Sequence, residues 1–302
     1  ADYVAGIEFD EDQIRHGSSV GYISQRFPES DWPDIPFTDL IKDFSQPQGW
    51  NLSTEDHPAV FFVNTLSGTR QYLCCLQVSE RFCSNMEDTD DVGSLEKSVL
   101  YKPKVIVIIS RLPFFDLFRV CLHRLHLALV NCSSLAEQIV ADLVYGVSIT
   151  PGSSSFCFTI GDEKISITPP GHFKVPVTTD KVAKLFSHLG SINSLITLIS
   201  AILTDHKILL RSSSLSLLFD SNFALRSLLY PLEYPHTCVP ILPISLLQFL
   251  ESPAPYIMGV VSSSDIRTLE IDAIFVDLDI GSVFIPPSIS IPIISEPYVQ
   301  RL

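Results

Sequence analysis

Apolar and polar positions follow two rhythms along the chain, and each predicts a different element. Val60 to Thr65 and Gln71 to Val78 are β-branched and aromatic runs on either side of Ser67-Gly68, which predicts a hairpin. Val105 to Ile109 is a continuous apolar run, the pattern of a strand buried on both faces. The rhythm then lengthens. Phe114, Leu117, Phe118, Cys121, Leu122, Leu125 and Leu129 recur three and four apart, predicting a helix with one buried face and with Asp116, Arg119, His123 and Arg124 on the other.

Beyond residue 130 short helices and strands alternate. Leu135 to Tyr145 is a predicted helix, and Phe156 to Ile160 with Ile165 to Thr168 a predicted hairpin about Gly161-Asp162. Asp180 is expected to cap a helix carrying Val182, Leu185, Phe186 and Leu189, which Gly190 ends. A helix at Leu195 to Leu203 and a strand at Ile208 to Leu210 follow. Six of the 21 prolines then fall between residues 228 and 260. Each fixes φ and removes a backbone donor, so this apolar stretch must be several short pieces. These are a helix at Leu217 to Tyr230, a strand at Val239 to Ile241, a helix opened by Pro243 and carrying Ile244, Leu247 and Leu250, and a strand at Tyr256 to Val261. Strands at Ile274 to Asp277 and Val283 to Ile285 complete the pattern. The sum predicts an α/β chain of two lobes: an α+β first lobe over residues 1–130, and over 131–302 a Rossmann-like lobe whose mostly parallel sheet is joined by right-handed crossovers.

Composition narrows the class. The chain has 302 residues, 46% of them hydrophobic, and a mean hydropathy of +0.29, enough to bury a large core. A net charge of −14 argues against binding driven by a nucleic-acid backbone and disfavours direct adhesion to anionic lipid. Seven cysteines without a CxxC pair are expected to be free, buried thiols in a reducing compartment. No basic segment followed by an apolar one opens the chain, and the longest apolar candidate, Leu195 to Leu210, is interrupted by Asp205, His206 and Lys207.

Covalent and cofactor chemistry has little support. Neither GxGxxG nor GxxxxGK follows a predicted strand, and no GxSxG marks a nucleophile. His123 and His126 have a spacing that suits a metal, with Cys121 as the one further ligand nearby; packing is the favoured role. Asp277 and Asp279 sit at a strand end, where they satisfy a turn. The acidic cluster Glu87, Asp88, Asp90 and Asp91 lacks the alternation and distal glutamate of a calcium loop. No catalytic residue, cofactor or metal is assigned.

The order of motifs resembles that of the DENN domain. Tyr230-Pro231, Tyr234, His236, Pro240 to Pro243, Leu246-Leu247 and Pro253 to Val260 match its central segment. Ala1-Asp2-Tyr3, Gln25 to Pro28 with Asp31, Pro47 to Trp50, and Pro103-Lys104 leading through Ser110-Arg111 to Pro113 to Phe115 and Phe118-Arg119 match its upstream part. Ser45 stands where many relatives carry Cys. The spellings RFPE-DW, QPxGW, PILP and PYIMGV are most similar to the SET-binding factor branch of myotubularin-related pseudophosphatases.

That resemblance implies a longin-like first lobe, and a chain cut before the family's downstream helices. It implies a guanine-nucleotide exchange factor that binds a GDP-loaded Rab GTPase, acts in vesicle traffic, and is cytoplasmic. Endomembrane association would be peripheral, through a partner or through absent domains rather than by insertion. Two alternatives stand beside it: a non-catalytic GTPase-binding scaffold, and a GTPase-activating protein with an arginine finger. The candidate GTPase contacts are Asp205, His206 and Lys207, at the turn between a helix and a strand, with Arg111 and Arg119 of the first lobe. A plain turn and ordinary structural arginines are the competing readings.

Overall fold

The computed structural model describes residues 1–11, 20–66, 71–82, 99–146, 156–160, 163–167, 179–264, 266 and 271–292. The acidic cluster, Ser67-Gly68 and Gly161-Asp162 lie outside the described residues.

Two five-stranded sheets organise the chain. The first contains β1 (Tyr3–Phe9), β2 (Gly21–Phe27), β3 (Val60–Leu66), β4 (Gln71–Phe82) and β5 (Leu100–Ser110) in the order β2-β1-β5-β4-β3, with every pair antiparallel. Val105, Val107 and Ile109 point to one face of β5, and Ile106 and Ile108 to the other. All five are buried, which is why the sequence shows a run rather than an alternation. One face is covered by α2 (Phe115–Asn131) and α3 (Ser133–Ala141), the latter followed by a π-helical turn at Asp142–Gly146. The other packs on α1 (Ile41–Ser45) and on residues of the second sheet and its helices.

On α2 the buried side chains are Phe118, Cys121, Leu122, Leu125 and Ala128. Leu129, expected on that face, is 43% exposed. It shares the angular sector of Leu125, but its exposure shows that the covering neighbours end before it, which periodicity cannot reveal.

The second sheet has the order β12-β11-β8-β10-β9. Its strands are β8 (Ile208–Ser212), β9 (Thr237–Val239), β10 (Tyr256–Val261), β11 (Ile274–Asp277) and β12 (Ser282–Phe284), with β12 alone antiparallel to its neighbour. A hairpin of β6 (Phe156–Ile160) and β7 (Glu163–Ile167) stands apart as a two-stranded sheet. The helices are α4 (Thr179–Leu189), α5 (Ile192–Leu203) and α6 (Leu215–Ser227). No single described helix is long and apolar enough to cross a membrane.

Local chemistry sets these boundaries. Asp180 lies inside α4 rather than at its cap. Gly190, at φ +64, ends the helix and donates its N–H to Phe186 O. Ser214 caps α6 by accepting the Leu217 N–H, so that helix starts two residues earlier than apolar spacing alone suggests. Residues Ile244–Glu251 form a 3₁₀ helix rather than an α-helix, and the spacing of Ile244, Leu247 and Leu250 by three is the period of that helix. β9 ends before Pro240, two residues short of expectation, because the chain there turns its backbone toward β10. Leu242 N donates to Gly259 O at 2.7 Å, and a Cβ on Gly259 would overlap the Pro240 carbonyl. The PILP and PYIMGV segments are therefore the two sides of one close backbone approach.

Among the free cysteines, Cys74, Cys75 and Cys121 are buried, and burial pushes the Cys121 thiol up to about 12. Cys132, by contrast, is exposed.

Candidate functional site

The motifs of the first lobe are spent on structure. Gln46 Nε2 donates to Gly49 O at 3.1 Å, Gly49 turns the chain at φ +83, and Trp50 is buried against Gly21, where a Cβ would overlap the indole. Arg26 pairs with Asp31 at 2.6 Å and lies 4.7 Å from the Phe37 ring centroid. Tyr3 Oη donates to Ile35 O and accepts the Trp32 N–H, while Trp32 Nε1 donates to Asp2 O.

A polar seam joins the two sheets. Asn64 of β3, fully buried, donates from Nδ2 to Phe44 O at 3.1 Å and to Ile241 O at 2.8 Å, and its Oδ1 accepts Thr65 N and Ile241 N at 3.0 and 3.3 Å. Ile244 N donates to Pro47 O, Thr65 Oγ1 to Cys238 O and Ser216 Oγ to Phe61 O. Together with the buried cluster that runs from Tyr3 to Leu278, these contacts fill the β3–β9 junction.

Asp205, His206 and Lys207 occupy the turn from α5 into β8, at the amino edge of the second sheet. Asp205 takes the left-handed conformation, φ +57, while its N–H donates to Ile202 O and the His206 N–H to Ala201 O. This closes α5 with a tight left-handed cap, a position that Asp tolerates better than most residues. The Asp205 carboxylate, 63% exposed, pairs with His236 Nε2 at 2.9 Å. Tyr234 meets His236 edge to face at 5.5 Å, and burial pushes its phenol up, with Cys238 and Asp205 adding to the shift. Lys207 Nζ lies 6.0 Å from the Tyr256 ring centroid, and its carbonyl accepts the Ile274 N–H. His236 lies outside the candidate contacts expected from the sequence, where the Tyr-x-His spacing is its only signal.

The arginines lie elsewhere. Arg111 pairs with Asp2 at 3.0 Å and Asp34 at 2.8 Å, and its N–H donates to the same Asp2 carboxylate. Burial opposes its charge, yet the two carboxylates hold the guanidinium above its ordinary value. Arg119 pairs with Asp116 one turn back along α2 at 3.1 Å. Among the described residues, neither arginine hydrogen-bonds to the Asp205 turn or to the other arginine.

The carboxyl edge of the parallel strands, where doubly wound sheets usually bind ligands, is filled from within. Asp279 accepts Ser212 Oγ, Ser213 N and Ser262 Oγ at 2.6, 2.7 and 3.0 Å, directly at the start of α6. Partial desolvation opposes its ionisation, but these donors hold the carboxyl below its ordinary range. A carboxylate of the chain itself thus takes the place an anionic ligand would need. Arg211 and Asp277 pair beside it at 3.2 Å. A serine and a histidine do meet, Ser53 Oγ and His57 Nε2 at 3.1 Å, but on an exposed loop where the serine oxygen also accepts the Glu55 N–H in an ordinary turn. Among the described residues no group of three His, Cys, Asp or Glu could hold a metal.

Comparison with known proteins places this arrangement in a family. The chain spans 14% of a myotubularin-related protein 5 from Caenorhabditis elegans, to which it is 35% identical over 262 residues, 84% of its own length. It spans 20% of the DENN domain and WD repeat-containing protein SCD1 from Arabidopsis thaliana, at 29% identity over 240 residues, 78% of its own length. The uDENN domain profile matches residues 21–78, the strands and turns of the first sheet that carry the Arg26 and Trp50 motifs. The DENN (AEX-3) domain profile matches residues 101–281, more than half of the chain and all of the polar turn and proline-bounded segments, so the chain belongs to the DENN domain family, on its myotubularin-related side.

Proposed function

We propose that this chain is a guanine-nucleotide exchange module that binds a GDP-loaded Rab GTPase and promotes GDP release. The observation that carries the reading is the match of both family profiles, since DENN domains are known as exchange modules for Rab GTPases. The geometry supports it in two ways. The Asp205–His236 turn is exposed but fixed to both a helix cap and the sheet, and the position where a nucleotide-binding sheet would hold phosphate is taken by Asp279.

Exchange needs no nucleophile. A protein that binds the nucleotide-free GTPase better than its GDP complex weakens GDP affinity by the same factor. Each tenfold acceleration of release requires about 1.4 kcal/mol of preference for the release transition state. The switch segments of the GTPase, held by phosphate and Mg²⁺, are the elements that such binding displaces. Asp205, His206 and Lys207, with His236, are the proposed contacts of the second lobe, and Arg111 and Arg119 those of the first. Recruitment to endomembranes would be peripheral and through partners.

The arginine-finger alternative is disfavoured by a specific contact. A finger must reach a γ-phosphate, so Arg111 would first have to leave Asp2 and Asp34, and Arg119 to leave Asp116. Release of fluorescent GDP across a panel of purified Rabs tests the proposal. Acceleration of at least one Rab is expected. Stable binding to a Rab with no acceleration would leave a scaffold instead.

A further inference from the structure

Different forces hold the two halves of α4. Its C-terminal half buries Leu185 and Leu189 in the main core. Its N-terminal half is held by charge. Asp220, on α6 and only 7% exposed, takes the Lys181 ammonium on Oδ1 and the Lys184 ammonium on Oδ2, the latter at 2.9 Å. Lys181 Nζ also lies 5.8, 5.3 and 6.0 Å from the ring centroids of Phe115, Phe219 and Phe223. Those rings pack edge to face around Phe115, which opens α2 and touches Tyr72 of β4. One ammonium therefore closes an aromatic cluster drawn from the helices of both sheets.

The other end of the same arm is the candidate docking turn. After Gly190 the chain bends by 112° into α5, and α5 ends in the Asp205 cap. Between the charged end and the turn lie the core-packed half of α4, the bend at Gly190 and Ser191, and α5 with its cap.

We infer that Lys181 and Asp220 are positioning residues, a charge latch that fixes the α4–α5 arm and through it the Asp205–His206 turn. The purpose of the turn rests on the exchange reading above; the coupling does not. A carboxylate this buried must be paired or it drives local opening. Lys184, with a side chain 60% exposed, is placed to compensate only in part. The stacked rings add an attraction that a cation alone satisfies.

Hydrogen exchange of the chain tests this without any GTPase. In Lys181→Met, amides in the first half of α4 and those of Asp205 and His206 should together lose about tenfold or more of their protection. Lys181→Arg should restore both, because a guanidinium keeps the charge and the stacking. Asp220→Asn leaves no stranded carboxylate and should give the same pattern more weakly, so it carries the measurement if Lys181→Met does not fold. Opening of α4 with wild-type protection at Asp205 and His206 would overturn the coupling, and unchanged α4 would overturn the latch. Coupled loss of protection in a chain that never accelerates GDP release would refute the exchange reading and leave the latch standing.

Discussion

Replacing Asn64 by Leu, a residue of similar reach, tests whether the seam between the sheets is held by one side chain. The amide has two donors and an oxygen with two lone pairs, and all four are used, against Phe44 O, Ile241 O, Ile241 N and Thr65 N. Leucine would take a partner from the Thr65 and Ile241 N–H groups and from both carbonyls, at a position with no solvent exposure. Each buried polar group left unpaired costs about 1–3 kcal/mol, and partial relaxation brings the expected total to about 4 kcal/mol. For a chain of this size that lowers the melting temperature by roughly 8 °C. Urea denaturation should show the midpoint falling with its slope unchanged. Asn64→Asp sets a second acceptor oxygen against two carbonyls and should cost at least as much. A loss under about 1 kcal/mol for both variants would show that the apolar cluster, not the amide, fixes the lobes.

Three further outcomes follow from the geometry. Gly259→Ala forces a Cβ into the Pro240 carbonyl and should cost about 1–3 kcal/mol in the same denaturation assay, with no change expected if the two segments were free to part. Asp205→Gly, which keeps the left-handed backbone at ease, and His236→Ala should leave melting nearly unchanged, since an exposed pair contributes little, while slowing stimulated GDP release; equal loss of stability and release would reassign the pair to folding. Asp279, whose ordinary value is 3.8 and whose folded value is lower, gives stability that is present above pH 4 and disappears as pH falls through the folded value; acid titration of Asp279→Asn should show a shallower loss there than the wild type.

Much of this fold was legible where burial is one-dimensional. β5 is covered on both faces, so its requirement appears as a run of five apolar residues. The prolines of residues 228–260 punctuate the sequence because fixed φ is a local property. Legibility failed where the cause lies elsewhere in the chain. Leu129 fits the helical stripe, but only the packed structure reveals where the cover over that stripe ends. Asn64 reads as a poor strand former inside β3, and its partner Ile241 lies 177 residues away. The site divides in the same way. Three polar residues between two apolar runs announce the Asp205 turn, whereas its partner His236 is 31 residues on, and Arg111 reaches Asp2 across 109.

On the exchange function proposed above, the seam and the turn bear on one another energetically. A protein that lowers GDP affinity must keep its own shape while the GTPase changes, for any strain it absorbs is subtracted from the preference that drives release. Rigidity near the contact is therefore a requirement of the activity. The Asp205 cap, the His236 pair and the Lys207 carbonyl bonded to β11 tie the turn to α5, to the segment entering β9 and to the sheet at once. The Asn64 amide ties that sheet to the first lobe through Ile241. The turn and the first sheet are thereby joined by one continuous set of bonds, so loosening Asn64 should slow any stimulated GDP release from a position at the seam, away from the turn.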